Sequence, residues 1–235
     1  MHKSFLEVKQ LQVLNILHNI NFQITQEKVV YIVGPNGSGK SMLLKAITGV
    51  VPSEDVKSGQ IFFKGKDITG FAPEKRAKMG MFLAWQKPPA IPEITVEDYF
   101  KAISNKMKSL EHVKQLLKQV NLPQQFAKKP LNYEMSGGQI KKLELATMLL
   151  LKPSLILLDE LDSGLDVESM SFVFQKIKEY LQKNEEARAI VVTHTFNVQK
   201  ILEPDVVYTM NKGQLSGPFH KDILQKIQQV GFDFS

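Results

Sequence analysis

Apolar positions along the chain occur either in short continuous runs or at helical spacing. Three short stretches are rich in β-branched, aromatic and other apolar residues: residues 28–33, 155–158 and 189–192. Runs of this length are typical of parallel strands that are covered on both faces. After the first run, glycines interrupt residues 34–39, and Leu43, Leu44 and Ile47 then recur at helical spacing until Gly49. The pattern predicts an α/β core.

Between residues 93 and 150 the pattern becomes mainly helical. Thr95 and Asp98 form a capping-box-like start. Two apolar faces follow, one with Val96, Tyr99, Phe100, Ile103 and Met107, and one with Val113, Leu116, Leu117 and Val120. We predict an inserted helical subdomain over 93–150, with 1–92 and 151–235 forming the core. Near the C-terminus, a helix with Ile223, Leu224, Ile227 and Val230 on one face is predicted to pack against that core.

Composition narrows the class of protein. The 235 residues carry a net charge of +6, but the lysines are spread along the chain without a dense block, so we predict no nucleic-acid partner. The apolar runs are too short to span a bilayer and the first residues lack a signal-peptide core, which predicts a cytoplasmic chain without direct membrane insertion. There is no cysteine, so the chain builds neither a disulfide nor a thiolate metal site.

A phosphate-binding loop lies between the first predicted strand and the helix that follows it. The segment Gly34-Pro35-Asn36-Gly37-Ser38-Gly39-Lys40-Ser41 matches the Walker A pattern. Its glycines let backbone N–H groups approach phosphate oxygens, Lys40 neutralises the β- and γ-phosphates, and the Ser41 hydroxyl is suited to Mg²⁺. We predict that these eight residues bind ATP with Mg²⁺.

Two acids end the predicted strand at 155–158. Unpaired charges at the end of a buried strand are costly, and a magnesium nucleotide supplies the cation that they need. Asp159 is predicted to hold Mg²⁺, and Glu160 to polarise the water that attacks the γ-phosphate.

Together with these motifs, the segment Met135-Ser136-Gly137-Gly138-Gln139 resembles the signature sequence of ABC ATPases, with Ser136 as the expected N-cap of a helix. The resemblance implies a RecA-like P-loop core with N-terminal antiparallel β elements and an inserted helical subdomain that ends in the signature helix. It also implies that Gln86 is the Q-loop glutamine near the metal and the attacking water, that Ser163-Gly164-Leu165-Asp166 is the D-loop, and that His194 is the switch histidine.

In ABC ATPases the nucleotide lies between the Walker A loop of one subunit and the signature of the other. The resemblance therefore implies nucleotide-dependent homodimerisation, with Ser136, Gly137, Gly138 and Gln139 acting in trans. It leaves the base preference open, because residues 6–21 contain no aromatic residue that could stack on adenine. ATP is expected, with GTP as the alternative.

Within the ABC ATPases, the chain is most similar to the SufC group of iron–sulfur cluster assembly. Transporter subunits usually read Asp-Glu-Pro-Thr-Ser-Ala-Leu-Asp after the second strand, whereas residues 159–166 read Asp-Glu-Leu-Asp-Ser-Gly-Leu-Asp. The run from Phe82 to Pro92 and the pair Pro204-Asp205 are also SufC-like. The segment Gln139-Ile140-Lys141-Lys142 departs from that group, and the helical segment is short for it. The resemblance implies a SufB/SufD-like scaffold as partner.

Two other functions are consistent with parts of the sequence. The first alternative is the ATP-binding subunit of an ABC membrane transporter, with a permease as its partner. A non-hydrolysing switch or a DNA-associated ABC protein is the second alternative. Glu160 and His194 argue against a switch, and the lack of a long coiled-coil insertion argues against the DNA-associated class.

Overall fold

A computed structural model describes residues 4–107, 109–162, 164–193 and 197–232. Within these ranges the chain forms twelve strands: β1 Leu6–Val13, β2 Leu17–Ile24, β3 Val29–Val33, β4 Val56–Phe63, β5 Lys66–Asp67, β6 Met81–Ala84, β7 Ile91–Thr95, β8 Pro130–Leu131, β9 Leu155–Asp159, β10 Arg188–Val192, β11 Val206–Asn211 and β12 Gln214–Phe219. The same ranges contain seven α-helices: α1 Lys40–Thr48, α2 Pro73–Lys78, α3 Val96–Ile103, α4 Leu110–Gln119, α5 Gly137–Leu151, α6 Val167–Lys183 and α7 Ile223–Val230. No helix in the described ranges has both the length and the apolar character that a membrane crossing requires.

The central sheet has the strand order β12-β11-β3-β10-β9-β6. Its strands are parallel from β11 to β6, and β12 closes the edge as an antiparallel strand. All five residues of β3 and all five of β9 are buried. The prediction of buried parallel strands from the three apolar runs is confirmed, since β3, β9 and β10 lie side by side.

The two faces of the central sheet pack on different cores. Along β3, Val30 and Ile32 point to one core, and Val29, Tyr31 and Val33 point to the other, as the period of two in a strand requires. The first core also contains α1 and an antiparallel sheet of order β2-β1-β4-β5. The predicted N-terminal antiparallel elements are therefore present, and the α/β fold class is confirmed.

The second core is largely helical and contains residues from α3 to α7. Thr95 caps α3 as predicted, with Asp98 completing the capping box. The predicted extension of this helix to Met107 is wrong. α3 ends at Ile103, and Ser104 adopts extended backbone and accepts the N–H of Met107 in a turn. Serine favours such a turn because its side chain competes with the helix for backbone groups.

The predicted C-terminal helix is present as α7. Leu224 and Ile227 are buried in the second core, and Ile223 is partly buried against it. Val230, at the end of the same apolar face, is 64% exposed. The predicted packing is confirmed for the first turns of α7 and is wrong for Val230. The division at residues 92/93 and 150/151 stays a prediction.

Candidate functional site

The loop between β3 and α1 has a backbone that requires glycine at several positions. Gly37 and Gly39 have φ values of 76° and 109°, in the left-handed region that disfavours side chains. At Gly34 a Cβ atom would lie 2.0 Å from the carbonyl oxygen of Met210 on β11. β11 thus closes one side of the loop, and α1 begins directly after it without a side-chain cap, which is an N-terminus that favours an anion.

Lys40 is the first residue of α1, and only 4% of its surface is exposed. Its Nζ donates hydrogen bonds of 2.9 Å to the carbonyl oxygens of Gly34 and of Pro35. Burial lowers the pKa of Lys40, while the nearby carboxylates of Glu160 and Asp159 act in the opposite direction. The ammonium group is therefore held between the loop and the two acids.

Ser38 gives an independent sign that this loop fits a phosphate. Its side chain is 4% exposed, and its Oγ has no hydrogen-bond partner among the residues that the structure describes. A buried hydroxyl normally has a partner, and a phosphate oxygen at this loop would supply one. The arrangement fits the predicted nucleotide phosphates.

The two acids at the end of β9 are both buried. Asp159 is 4% exposed and Glu160 is 8% exposed. The Ser41 Oγ donates a hydrogen bond of 2.7 Å to Asp159 Oδ1. Burial raises the pKa of Asp159, and the charge of Glu160 raises it further, although the bond from Ser41 lowers it. A hydroxyl and a carboxylate oxygen in contact are the hard oxygen ligands that Mg²⁺ prefers, so this pair fits the predicted metal.

Glu160 has a strained backbone, with φ at 48° in the left-handed region. The Gln86 Nε2 donates a hydrogen bond of 2.6 Å to Glu160 Oε2. The structure thus brings together two residues that are 74 positions apart in the sequence and that were both predicted to act on the attacking water.

These residues border a cavity of about 420 Å³. It is lined by Ile16, Asn36, Gly37, Gly39, Lys40, Ser41, Met42, Gln86 and Glu160. Ile16 and Met42 were not predicted. Ile16 lies in the turn between β1 and β2 and is 37% exposed. The absence of an aromatic residue from 6–21 pointed to this turn, but nothing in the sequence indicated which residue would face the cavity.

The signature segment lies at the start of α5. Ser136 caps the helix as predicted, because its Oγ accepts the N–H of Gln139, and the Gln139 side chain accepts the N–H of Ser136 in return. A Cβ atom on Gly138 would lie 2.9 Å from Ser169 Oγ on α6. Among the described residues, none of those that line the cavity beside Lys40 belongs to the signature.

Asp166 is the N-cap of α6, and its Oδ1 accepts the N–H of Ser169 over 2.8 Å. This bond lowers the pKa of the Asp166 carboxyl. Ser163 of the predicted D-loop and the predicted switch histidine His194 lie outside the described residues. Thr193, which precedes His194, donates a hydrogen bond of 2.9 Å to Asp162 Oδ2. This buried link between the two segments was not predicted.

Comparisons with known proteins agree with this geometry. The profile of the ABC transporter family matches residues 17–163, which is more than half of the chain. A probable ATP-dependent transporter, ycf16, of Antithamnion sp. is 32% identical over 99% of this chain and 98% of its own length. The ycf16 protein of Cyanidium caldarium is 37% identical over 85% of this chain and 82% of its own length. A probable ABC transporter ATP-binding protein of Streptococcus pyogenes serotype M3 is 33% identical over 97% of this chain and 94% of its own length.

Solved structures show the same fold. The ADP conformation of MJ1267, an ATP-binding cassette of an ABC transporter, matches with a TM-score of 0.75 at 24% identity, over 98% of this chain and 96% of that one. A dimeric post-hydrolysis state of the cassette MJ0796 with ADP and Pi matches with a TM-score of 0.77 at 20% identity, over 92% of this chain and 98% of that one. With its phosphate-binding loop, its buried acids and these relatives, the chain belongs to the ABC family and is an ATP-binding cassette that hydrolyses ATP.

Proposed function

We propose that ATP hydrolysis by this chain drives a conformational change in a SufB/SufD-like scaffold protein of iron–sulfur cluster assembly, in the cytoplasm. The observation that carries this proposal is the segment that follows β9. Leu161 and Asp162 stand where transporter subunits usually have Pro and Thr, and both are buried. Asp162 accepts the hydroxyl of Thr193, so the distinguishing acid is part of the site's internal structure.

The proposed chemistry begins with the charge of the phosphates. Backbone N–H groups of the loop, from residues other than Pro35, and the ammonium of Lys40 bind the β- and γ-phosphate oxygens. The Ser41 hydroxyl and the Asp159 carboxylate, together with Gln86, would hold Mg²⁺. When bound, Mg²⁺ supplies neutralisation of the negative charge on the phosphate oxygens.

Glu160 is the group that we assign to the attacking water. Its carboxylate accepts a proton from that water as the water oxygen bonds to the γ-phosphorus, the bond from the γ-phosphorus to the bridging oxygen breaks, and ADP leaves. The amide of Gln86 orients the carboxylate through the bond of 2.6 Å. His194 is assigned to the γ-phosphate from the resemblance to the family alone.

A second copy of the chain completes the site in this proposal. Gly137 and Gly138 lie beside the N-terminus of α6. None of the signature residues Ser136, Gly137, Gly138 and Gln139, all of which the structure describes, lines the cavity that holds Lys40. With two copies facing each other, the N-terminus of α5 in one copy can approach the γ-phosphate bound to the other, where its dipole favours the anion. Asp166 is assigned to the same interface.

The proposed partner surface is a groove beside the Q-loop. It has a volume of about 170 Å³, and apolar or aromatic side chains form most of its wall, including Trp85, Pro88, Ile91 and Tyr99. Trp85, which lines the groove, directly precedes Gln86, so a partner that binds there is adjacent to the residue that contacts Glu160. This proximity supports transmission of the nucleotide state to a bound protein.

The second candidate is the ATP-binding subunit of a membrane transporter. It is favoured by the descriptions of the curated relatives, which call them probable transporters or transporter ATP-binding proteins. In this case the same groove would bind a permease.

Affinity purification from the native cells separates the two candidates. The bait is the Glu160→Gln variant with ATP, which we expect to hold the closed dimer. Lys40→Ala, with weakened ATP binding, serves as the matched bait. We expect ATP-dependent recovery of a scaffold without membrane spans that carries iron and sulfide. Recovery of a protein with several membrane-spanning segments and no iron or sulfide would overturn the scaffold proposal and establish the transporter candidate.

A further inference from the structure

The backbone of Trp85 is held on both sides by the signature helix. Its N–H donates a hydrogen bond of 2.9 Å to Glu144 Oε1, and its carbonyl oxygen accepts a hydrogen bond from Lys141 Nζ. Lys141 Nζ also lies 2.8 Å from Glu144 Oε2. Lys141 and Glu144 are separated by one turn of α5 and therefore share a face of the helix. We call these two side chains the clamp.

The clamp lies in an unfavourable place for an ion pair. The Lys141 and Glu144 side chains are 4% and 11% exposed. Around them are apolar residues of β6, α5, β9 and α6, among them Phe82, Leu145 and Leu158. Burial raises the pKa of Glu144, which shows that the charged form is disfavoured there. Apolar residues of similar volume often stabilise such a position as well as an ion pair does, so stability alone is a poor reason for the clamp.

The position of Trp85 gives the clamp a different consequence. Trp85 directly follows β6 and directly precedes Gln86, whose Nε2 donates to Glu160 Oε2 over 2.6 Å. Helix α5 begins with the signature glycines Gly137 and Gly138, one turn before Lys141. A continuous series of contacts thus runs from Gly137 and Gly138 along a rigid helix to the Trp85 backbone, and from there through Gln86 to Glu160.

We infer that Lys141 and Glu144 are positioning residues. They couple the position of the signature helix α5 to the orientation of the Gln86 side chain relative to Glu160. A shift of α5 would move both polar groups of the Trp85 backbone together, because the clamp holds its N–H and its carbonyl at once. The inference rests on the roles proposed above for Gln86 and Glu160. It adds that the position of α5 affects hydrolysis within its own copy, in addition to the proposed contact of α5 with the facing copy.

The chain offers a matched pair for the test. Lys176 and Glu179 on α6 form an ion pair with the same spacing, at 3.0 Å, but their side chains are about one third exposed and lie outside the described cavities. The test variant is Lys141→Met with Glu144→Met, and the control is Lys176→Met with Glu179→Met. Methionine keeps the volume and the apolar surroundings, so the fold is expected to be retained.

The expected result is a separation of catalysis from binding. In the clamp variant, kcat for ATP hydrolysis falls about 10-fold or more, while the Kd for ATP stays within about twofold, because the phosphate loop is untouched. The control keeps both values. Adding Gln86→Ala to the clamp variant lowers kcat little further, because the effects of substitutions in one series of contacts are not additive. If the clamp variant does not fold, the conservative pair of Lys141→Arg and Glu144→Gln is measured in the same way, with a smaller loss of kcat expected.

Trp85 is the only tryptophan of the chain, so its fluorescence reports directly on this loop. In the unaltered chain and in the control, ATP binding is expected to change the Trp85 emission, and in the clamp variant that change is lost. The inference is overturned if Gln86→Ala lowers kcat but the folded clamp variant keeps full kcat and the fluorescence response. If Gln86→Ala itself leaves kcat unchanged, the proposed role of Gln86 is overturned, and the inference falls with it.

Discussion

The side-chain amide of Gln86 donates a hydrogen bond of 2.6 Å to the carboxylate of Glu160, although the two residues are 74 positions apart. The first follows the edge strand β6, and the second follows β9, which pairs with β6 in parallel. Parallel strands bring their carboxyl ends to the same edge of a sheet, where open α/β sheets bind their ligands. The pair joins the loop next to the proposed partner groove with the proposed catalytic acid.

The Glu160→Gln variant is expected to bind ATP but to hydrolyse it about 100-fold more slowly or worse, because the amide cannot accept the proton of the attacking water. Phosphate release and size-exclusion chromatography with ATP measure the two effects. We expect a dimer that persists with ATP. Turnover at the original rate in this variant would show that the acid has been assigned wrongly.

The Lys40→Ala variant is expected to weaken ATP binding about 10-fold or more, since it removes a charge-assisted contact with the phosphates. Titration with a fluorescent ATP analogue measures the affinity. The exposed residue Lys66 on β5 provides the control Lys66→Ala, which changes the net charge equally. Equal affinities in the two variants would exclude Lys40 from the phosphate site.

Ile16 is expected to limit affinity for the base. Because this residue lines the cavity beside the phosphate loop, Ile16→Tyr provides a stacking surface and is expected to tighten ATP binding about 5- to 100-fold. Ile91 is similarly exposed at 38% but lines a different cavity, so Ile91→Tyr is the control. Unchanged ATP affinity in Ile16→Tyr would place the base elsewhere.

Arg76 is expected to stabilise the helix that follows the phosphate loop. It is 3% exposed, and its guanidinium donates to the carbonyl oxygens of Ala46 and Ile47 at the end of α1, each over 2.8 Å. Arg76→Met removes both bonds, although the Ala46 carbonyl keeps the N–H of Gly49, and is expected to lower the free energy of unfolding by about 3 kcal/mol. Urea denaturation measures the change.

Lys78 is exposed and lies on α2, the helix that also contains Arg76. Lys78→Met is therefore the control for the Arg76 variant. A loss in Arg76→Met no larger than in Lys78→Met would mean that water replaces the guanidinium without cost.

The sequence predicts residues for a phosphate and metal site from the chemistry that such a site needs. Lys40, Ser41, Asp159 and Glu160 stand in motifs whose spacing follows from the loop and from the strand end, and the structure brings all four together. The central strands were also predictable, because burial on both faces leaves a continuous apolar run.

Other features depend on contacts that a linear pattern does not contain. The clamp joins Trp85 to residues 56 and 59 positions later, and no local period reveals such a pair. The end of α3 at Ile103 depends on a turn around Ser104, whereas the apolar period continues to Met107. Asp205 was noted as part of a family-like pair, but it accepts the N–H groups of Lys28 and Val29 and so anchors the start of β3.

Complementation between two inactive variants tests the shared site. One variant is Lys40→Ala, and the other is Gly137→Asp. An acid in the first turn of α5 is compatible with the helix dipole but repels a phosphate of the facing copy. Gly137→Asp is expected to bind ATP normally, since the cavity of its own copy is unchanged.

Mixing the two variants in equal amounts and measuring phosphate release is the most direct measurement of whether ATP is hydrolysed between two copies. If the signature acts in trans, half of the dimers are mixed and each contains one intact site, so activity recovers to about a quarter of that of the unaltered chain. If the mixture stays at the level of the separate variants, each copy completes its own site, and the proposed two-copy arrangement is wrong.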